Sequence, residues 1–380
     1  MHIVIIFINI GDYHAARLQA AYQSCQKLNW DFTAIQVTDD TLQHSWGDCV
    51  SSLEVTVQTL LSTQSENNTQ KDAFSSVACQ ALKKYLAKIK PDIIFIPGWS
   101  FDIAKTALKW CHEKQVIPIL MSESNEHDAP RVWWKEKLKS WIVKRYKSAL
   151  VGGQPQKRYL MKLGMPEEAI FLGYDVVGNQ AFHPDNIKRL DQPHQKPFFL
   201  TVNRFITKKN LPFIISAYAT YHQQIDNEPW DLILCGDGEL CPQIEQQIAQ
   251  LNLQDCIYLP GFLQQQEMLP YFAHAGCFIH GSTQEQWGLV VNEAMAASLP
   301  VLVSNRCGCY EDLVLEGVSG FGFDPYNSQQ LTELMVKISS GKIDLKIMGQ
   351  AALKHIQKFS PDRFAEGFMG AVKYALANTQ

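Results

Sequence analysis

At 380 residues, with 46% hydrophobic content and a formal charge of −4, the chain is too long for one ordinary core and is expected to form two domains. The charge balance excludes a global field that recruits nucleic acid or an anionic membrane, and the hydrophobic share excludes a disordered chain. Ten cysteines are scattered without a metal-like grouping. The closest pair, Cys307 and Cys309, lacks the second pair of ligands that a tetrahedral zinc site needs, so unpaired, mostly buried thiols of a reducing compartment are expected.

The first ten residues are apolar, but they lack a basic leader and a small-residue cleavage site, and Gly11-Asp12 ends the run early. They read as a buried strand rather than a signal peptide. Short apolar runs then alternate with helical patterns. In the first half, strands are expected at 2–9, 32–37, 93–97, 116–121 and 149–151, with helices at 12–28, 73–89 and 101–113 between them; 65–72 reads as a polar surface loop. In the second half, strands are expected at 198–202, 232–235, 257–259, 277–279 and 300–303, again separated by helices. This α/β alternation implies parallel sheets covered on both faces, arranged as two Rossmann-like domains facing across a cleft. The polar, proline-bearing stretch 179–197 reads as the linker. The boundaries are 1–180 for the first domain and 195–360 for the second, and a lone helical stretch, 361–377, closes the chain. No apolar run approaches the ~20 residues that span a bilayer. The protein is therefore expected in the cytoplasm, or held by its surface at the inner face of a membrane.

In open α/β sheets, ligands bind beyond the carboxyl ends of strands. Glu285 and Glu293 follow the strand expected at 277–279. Eight residues of continuous helix would leave the two carboxylates ~80° apart, so a loop up to Gly288 and a helix after it suits them better. Such a junction attracts phosphate, and the carboxylates would accept hydrogen bonds from sugar hydroxyls. The alternative is a surface helix whose early acids merely complement its dipole. Arg204 and Lys209 follow the strand at 198–202, where two cations suit a diphosphate or form a solvated basic turn. Asp237 and Glu239 read as a strand-to-helix turn between glycines rather than a metal site. Gly11, Asp12 and His14 follow the first strand, and Gly98 and Trp99 follow another; both groups are candidates for an acceptor side. His127 and Arg131 join them, as acceptor or acid–base groups or as structural residues. The stretch 131–147 carries Trp133, Trp134 and Trp141 among lysines and arginines, with the single acid Glu136. It reads either as a helix for an anionic membrane face or as an ordinary helix with one packed aromatic side. A G-x-x-x-x-G-K-[ST] loop is absent, which argues against a P-loop ATPase.

The segment from Glu285 to Glu293, continuing through Ala294-Met295-Ala296, Leu299-Pro300-Val301, Gly308, Glu311, Gly317 and Gly320, resembles the retaining glycosyltransferases of glycosyltransferase family 4. Arg204 and Lys209-Asn210 are similar to that family's Arg and Lys pair, and Gly261-Phe262-Leu263 to its base-side loop. The likeness is specific over roughly 198–325 and looser before it. Gly281 stands where the family commonly has Pro, Ser298 where it often has Gly, and Gly178, in Gly178-Asn179-Gln180-Ala181-Phe182, where an interdomain acid is usual. The resemblance implies the GT-B fold, with the last helix (361–380) crossing back to the first domain. It implies transfer of a sugar from a nucleoside-diphosphate donor to a hydroxyl acceptor with retention, without a metal or other cofactor. Glu293 would bind the donor ribose and Glu285 the donor sugar, while backbone N–H groups around Gly288, Leu289 and Val290 hold the diphosphate with Arg204 and Lys209. The acceptor would be a lipid-linked glycan, a polysaccharide or a small metabolite. A nucleotide-sugar epimerase of the same fold, or a non-catalytic degenerate partner, is the alternative.

Overall fold

The computed structural model describes residues 1–39, 53–61, 76–129, 131–225 and 228–378; the surface loop expected at 65–72 and the start of the helix expected at 73–89 lie outside them. The chain divides into two compact units, Met1–Val177 with Phe359–Gln380, and Gly178–Lys358.

In the first unit, β1 (His2–Phe7), β2 (Asp31–Thr38), β3 (Thr56–Leu61), β4 (Ile93–Pro97), β5 (Ile117–Ser122), β6 (Ser148–Val151) and β7 (Ile170–Leu172) form a seven-stranded sheet in the order β3-β2-β1-β4-β5-β6-β7. Every pair is parallel. The central strands are buried along their length, as in Ile3–Phe7 and Ile93–Ile96, because α1 (Asp12–Gln26), α2 (Ser76–Ile89), α3 (Asp102–Lys114), α4 (Trp133–Val143) and α5 (Gln154–Lys162) and the C-terminal helix cover the sheet. Two strands that the apolar pattern does not disclose complete it. β3 is a half-polar, partly exposed edge strand, and β7 has only three residues.

The C-terminal helix Pro361–Ala377 belongs to this unit. It buries Phe364, Phe368, Ala371, Val372 and Ala375, one helical stripe at i, i+4, i+7, i+8 and i+11. Phe368 stacks on Phe95 with centroids 4.5 Å apart and meets Phe32 edge-on at 5.9 Å. The close approach requires Gly367, where a Cβ would stand 2.1 Å from the Leu172 carbonyl oxygen.

In the second unit, β8 (Phe198–Val202), β9 (Asp231–Cys235), β10 (Ile257–Gly261), β11 (Cys277–His280), β12 (Val301–Ser304) and β13 (Gly320–Phe323) form a six-stranded sheet in the order β10-β9-β8-β11-β12-β13, also parallel throughout. β13 reads Gly-Phe-Gly-Phe and carries no strand signal. The glycine is what lets it pair, since a Cβ on Gly320 would lie 2.0 Å from the Val301 carbonyl oxygen.

The expected linker, 179–197, is not a free tether. It holds two short helices, α6 (Asn179–Phe182) and α7 (Pro184–Ile187), fixed to the second unit. The Asn179 side-chain amide donates to the Ile356 carbonyl (3.0 Å), Phe182 meets Phe272 edge-on at 5.5 Å, and the His274 imidazole bonds the Leu190 carbonyl (2.8 Å). Helices α8 (Leu211–Gln224), α9 (Cys241–Gln250), α10 (Gln265–His274) and α11 (Leu289–Ala296) follow.

Each sheet reverses its build direction once, between β1 and β4 in the first unit and between β8 and β11 in the second. The loops beyond those strand ends are where this architecture places ligands. The packing of the C-terminal helix is directly testable: Phe368→Ala leaves a cavity among three rings and should cost about 3–5 kcal/mol. A urea titration that shows an unshifted first transition would refute that account.

Candidate functional site

At the switch point of the second sheet, the loops after β8 and β11 are stitched together. The β8 loop closes with a 3-10 turn, Thr207–Lys209, and Asn210 leaves it in the left-handed region (φ 60°) to start α8. The Asn210 side-chain amide donates to the carbonyls of Gly281 (3.3 Å) and Pro325 (2.9 Å), and the Thr283 N–H donates to the Lys208 carbonyl (2.9 Å). The turn is thereby fastened to the β11 loop.

This fastening delivers Lys209 to Glu285. The Lys209 ammonium contacts Glu285 Oε2, Lys208 Nζ lies 3.5 Å from Oε1, and the Ser282 hydroxyl donates to Oε2 (3.3 Å). His280, fully buried at the end of β11, turns Nε2 toward the same oxygen at 3.7 Å. Burial pushes the Glu285 carboxyl up, but the facing His280 imidazole and the charges of Lys209 and Lys208 outweigh it and hold the group well below the ordinary carboxylate range. Burial is the first cause that lowers the His280 pKa. Glu285 is an ionised acceptor, mostly enclosed.

The backbone around Glu285 is held from the other side by the β12 loop. The Gly308 N–H donates to the Glu285 carbonyl (3.0 Å) and the Cys309 N–H to the Trp287 carbonyl (3.2 Å). The buried Trp287 indole N–H donates to Asn292 Oδ1 (2.9 Å), tying the loop to α11. Gly288 makes the junction at φ 108°, where a Cβ would come within 3.3 Å of His280 Nε2 and 3.5 Å of Cys309 Sγ. α11 starts at Leu289 with no side-chain cap, which leaves its first-turn N–H groups, Leu289 and Val290 among them, for an outside partner. Glu293 lies one turn further along and is partly buried.

The remaining candidates in this unit line the same edge of the sheet. Arg204 is exposed just after β8. The β9 turn packs against the residues on either side of it: a Cβ on Gly236 would collide with the Asn203 carbonyl oxygen, and the Phe205 N–H donates to the Asp237 carbonyl (2.8 Å). The Asp237 carboxylate is taken up within its own turn, by the Gly238 N–H and the Cys241 thiol. Gly261 (φ 83°) ends β10, Phe262 beyond it is exposed, and Leu263 is half-buried.

In the first unit, Gly11, Asp12 and His14 lie at the β1 end of the switch point. The Gly11 N–H donates to His14 Nδ1 (3.0 Å), and the imidazole is packed against Phe7 and Tyr13 at centroid distances of 4.4 and 4.3 Å. Three of the acceptor-side candidates have other surroundings. Trp99 is buried in the core beside Tyr159. The Arg131 guanidinium bonds the Glu126 and Asn125 carbonyls and Asp128 and lies over Tyr159, so it organises the entry to α4. His127 is exposed, and its N–H donates to Asn125 Oδ1 (2.8 Å). Sequence reasoning passed over Lys208, His280 and Ser282, all adjacent to the segments it singled out. It also passed over Arg17, which is buried against Asp175 and lies over the rings of Tyr13 and Tyr174.

Residues 183–355 match the family model of glycosyl transferases group 1. The chain is 28% identical over 229 residues to the amylovoran biosynthesis glycosyltransferase AmsK of Erwinia amylovora, covering 59% of this chain and 52% of that protein. It is 24% identical over 213 residues to the alpha-1,3/1,6-mannosyltransferase ALG2 of Homo sapiens, covering 52% and 50%. The matches thus span about half the length of these curated relatives. Among solved structures, Anabaena Alr3699/HepE in complex with UDP-glucose superposes with a TM-score of 0.77 at 16% identity, over 98% of this chain and 99% of that one.

The charge cluster makes a pH-dependent contribution with a defined sign. Because the folded-state pKa of Glu285 is depressed, its stabilisation is fully present above the unfolded value of about 4.3, declines as pH falls below that value and is lost only as pH falls through the lower folded value. Glu285→Gln should melt earlier than the parent near neutral pH, and the gap should begin to narrow below about pH 4. A pH-independent gap would show that the charge is not what holds the loop.

Proposed function

We propose that the protein, which has the GT-B fold and whose residues 183–355 match the family model of glycosyl transferases group 1, transfers a sugar from a nucleoside-diphosphate-sugar donor to a hydroxyl acceptor, with retention and without a metal. One observation carries the reading. At the switch point of the second sheet, Lys209, an ionised Glu285 and the uncapped start of α11 converge on one spot. That combination suits a group with a diphosphate at one end and hydroxyls at the other. The UDP-glucose held by the Anabaena protein is a ligand of that class.

In this reading the diphosphate lies between the first-turn N–H groups of α11 and the cations of Arg204 and Lys209. Their fixed charge stabilises the electron pair that the phosphate oxygen takes as its bond to the anomeric carbon breaks. The acceptor oxygen attacks that carbon from the face the phosphate leaves, and its proton passes to the departing phosphate oxygen. Glu285 accepts hydrogen bonds from the donor sugar's hydroxyls and Glu293 from the ribose. The carboxylates are therefore binding groups, unlike the flanking pair ~5 Å apart with which retaining hydrolases form a covalent intermediate. Gly261, Phe262 and Leu263 lie where they would border the base. The acceptor class comprises lipid-linked glycans, polysaccharides and small metabolites, with His14 as the oriented polar group on the first unit. Work at a membrane surface is part of the same reading, and no helix among the described residues is long and apolar enough to cross a bilayer.

A thermal-shift panel of UDP-, GDP-, ADP- and dTDP-sugars should raise the melting temperature with one base. Glu293→Ala should weaken that donor roughly 10- to 100-fold, the worth of hydrogen bonds to a charged group; unchanged affinity would place the ribose elsewhere. Lys209→Ala should lower kcat more than it raises KM, since the charge it answers develops during bond cleavage. Chelator should leave turnover intact, and its loss would return the diphosphate charge to a metal. Release of nucleotide without any acceptor would point to an epimerase instead.

A further inference from the structure

Helix α4 is built inside out. Trp134, Leu138 and Trp141 fall within an arc of about 60° at 100° per residue, and Glu136, Lys139 and Val143 within a similar arc on the opposite side. In a helix that only covers a sheet, the apolar arc faces the core. Here it faces out: Trp134 is 52% exposed, Leu138 52% and Trp141 59%, and Trp133, at the helix start beside this arc, is 71% exposed. Val143 is the helix's one fully buried residue.

The inward arc is anchored by polar contacts. Glu136 accepts from the Tyr159 hydroxyl (2.8 Å) and from Lys139 Nζ (2.8 Å), Lys139 Nζ also reaches the Tyr159 oxygen (3.0 Å), and Arg131 lies over the Tyr159 ring at 4.5 Å. These bonds fix the rotation of the helix and so keep the tryptophans outward. The only acid between 131 and 147 is consumed inside this network. What remains exposed over that stretch is apolar or cationic: the four residues above with Lys135, Lys137, Lys144, Arg145 and Lys147. Each exposed indole has a cation at its face: Lys137 over Trp133 at 5.0 Å, Lys135 over Trp134 at 5.4 Å and Arg145 over Trp141 at 4.4 Å.

We infer that this outward face of α4 docks on an anionic lipid surface, its helix axis lying in the plane of the interface. Indoles and Leu138 enter the boundary between headgroups and acyl chains, where amphipathic rings are most stable. The surrounding lysines and Arg145 meet lipid phosphates, which a neutral protein partner would not need. The inference rests on the membrane-surface part of the function proposed above, but it concerns a face separate from the Glu285 cluster, so either can fail alone.

Flotation of the full-length chain with vesicles tests it. Vesicles of phosphatidylglycerol and phosphatidylcholine in equal parts should carry the protein, phosphatidylcholine alone should not, and added salt should release it. Lys135→Gln with Lys137→Gln should weaken partition roughly 25-fold, at about 1 kcal/mol per cation near an anionic surface. Trp134→Ala with Trp141→Ala should abolish flotation while leaving the donor-induced thermal shift of the parent. Equal binding to both vesicle types would overturn the inference. So would binding to neither, with the tryptophan variant instead changing the solution mass, since that outcome makes the face a protein contact.

Discussion

Lys209 and Glu285 are 76 residues apart in the chain, and their pairing depends on two loops meeting beyond the ends of neighbouring parallel strands. Only the order β8-β11 at the centre of the second sheet brings those ends side by side. Without the Asn210 and Thr283 hydrogen bonds that fasten one loop to the other, an enclosed carboxylate would face burial with no counter-charge, a condition that costs several kcal/mol. The pair is thus a product of the fold. A mostly enclosed ion pair adds little net stability over apolar packing of the same volume, but removing one partner leaves the other uncompensated.

Backbone geometry sets the remaining terms. The loop must return toward β11 before α11 begins, and Gly288 makes that turn in a conformation and a space that a side chain would not fit. Trp287 and Asn292 clamp the residues on either side. The result is a helix start without a side-chain cap, with Glu285 held beside it. A loop bonded on both flanks by β8 and β12 neighbours holds these groups in place, as the electrostatic assistance of bond cleavage proposed above would require.

The central strands were legible because burial on both faces writes itself as unbroken apolar runs. The edge strands were not. β3 mixes threonine and glutamine with leucine, and β13 is half glycine, so each is a strand only because a neighbour offers an unpaired edge. The segments after β8 and β11 were legible for a related reason: a strand, a polar turn and a helix start follow one another in the sequence itself. His280 escaped notice because nothing local distinguishes the last residue of a buried strand from its apolar neighbours. Its importance comes from Glu285 folding back over it. Likewise the stretch 179–197 looks like a linker by composition, and only contacts with residues about 90 or more positions away, such as Asn179 with Ile356 and Phe182 with Phe272, make it part of the second unit.

Two helices of the first unit show where pattern reading stops. The C-terminal helix and α4 both carry aromatic residues at helical spacing, and each pattern alone is compatible with burial. The C-terminal helix meets an apolar sheet face through Gly367, so its phenylalanines are driven inward by the area they remove from water. α4 meets instead the hydroxyl of Tyr159 and the guanidinium of Arg131. A carboxylate and an ammonium satisfy the Tyr159 hydroxyl, whereas an apolar side chain turned toward it would leave that buried group unpaired at roughly 1–3 kcal/mol. The polar side of α4 therefore wins the inward position, and the tryptophans are left outward by a preference that belongs to the neighbour rather than to the helix. An exposed aromatic face produced this way carries a cation at each indole, Lys137 at Trp133, Lys135 at Trp134 and Arg145 at Trp141.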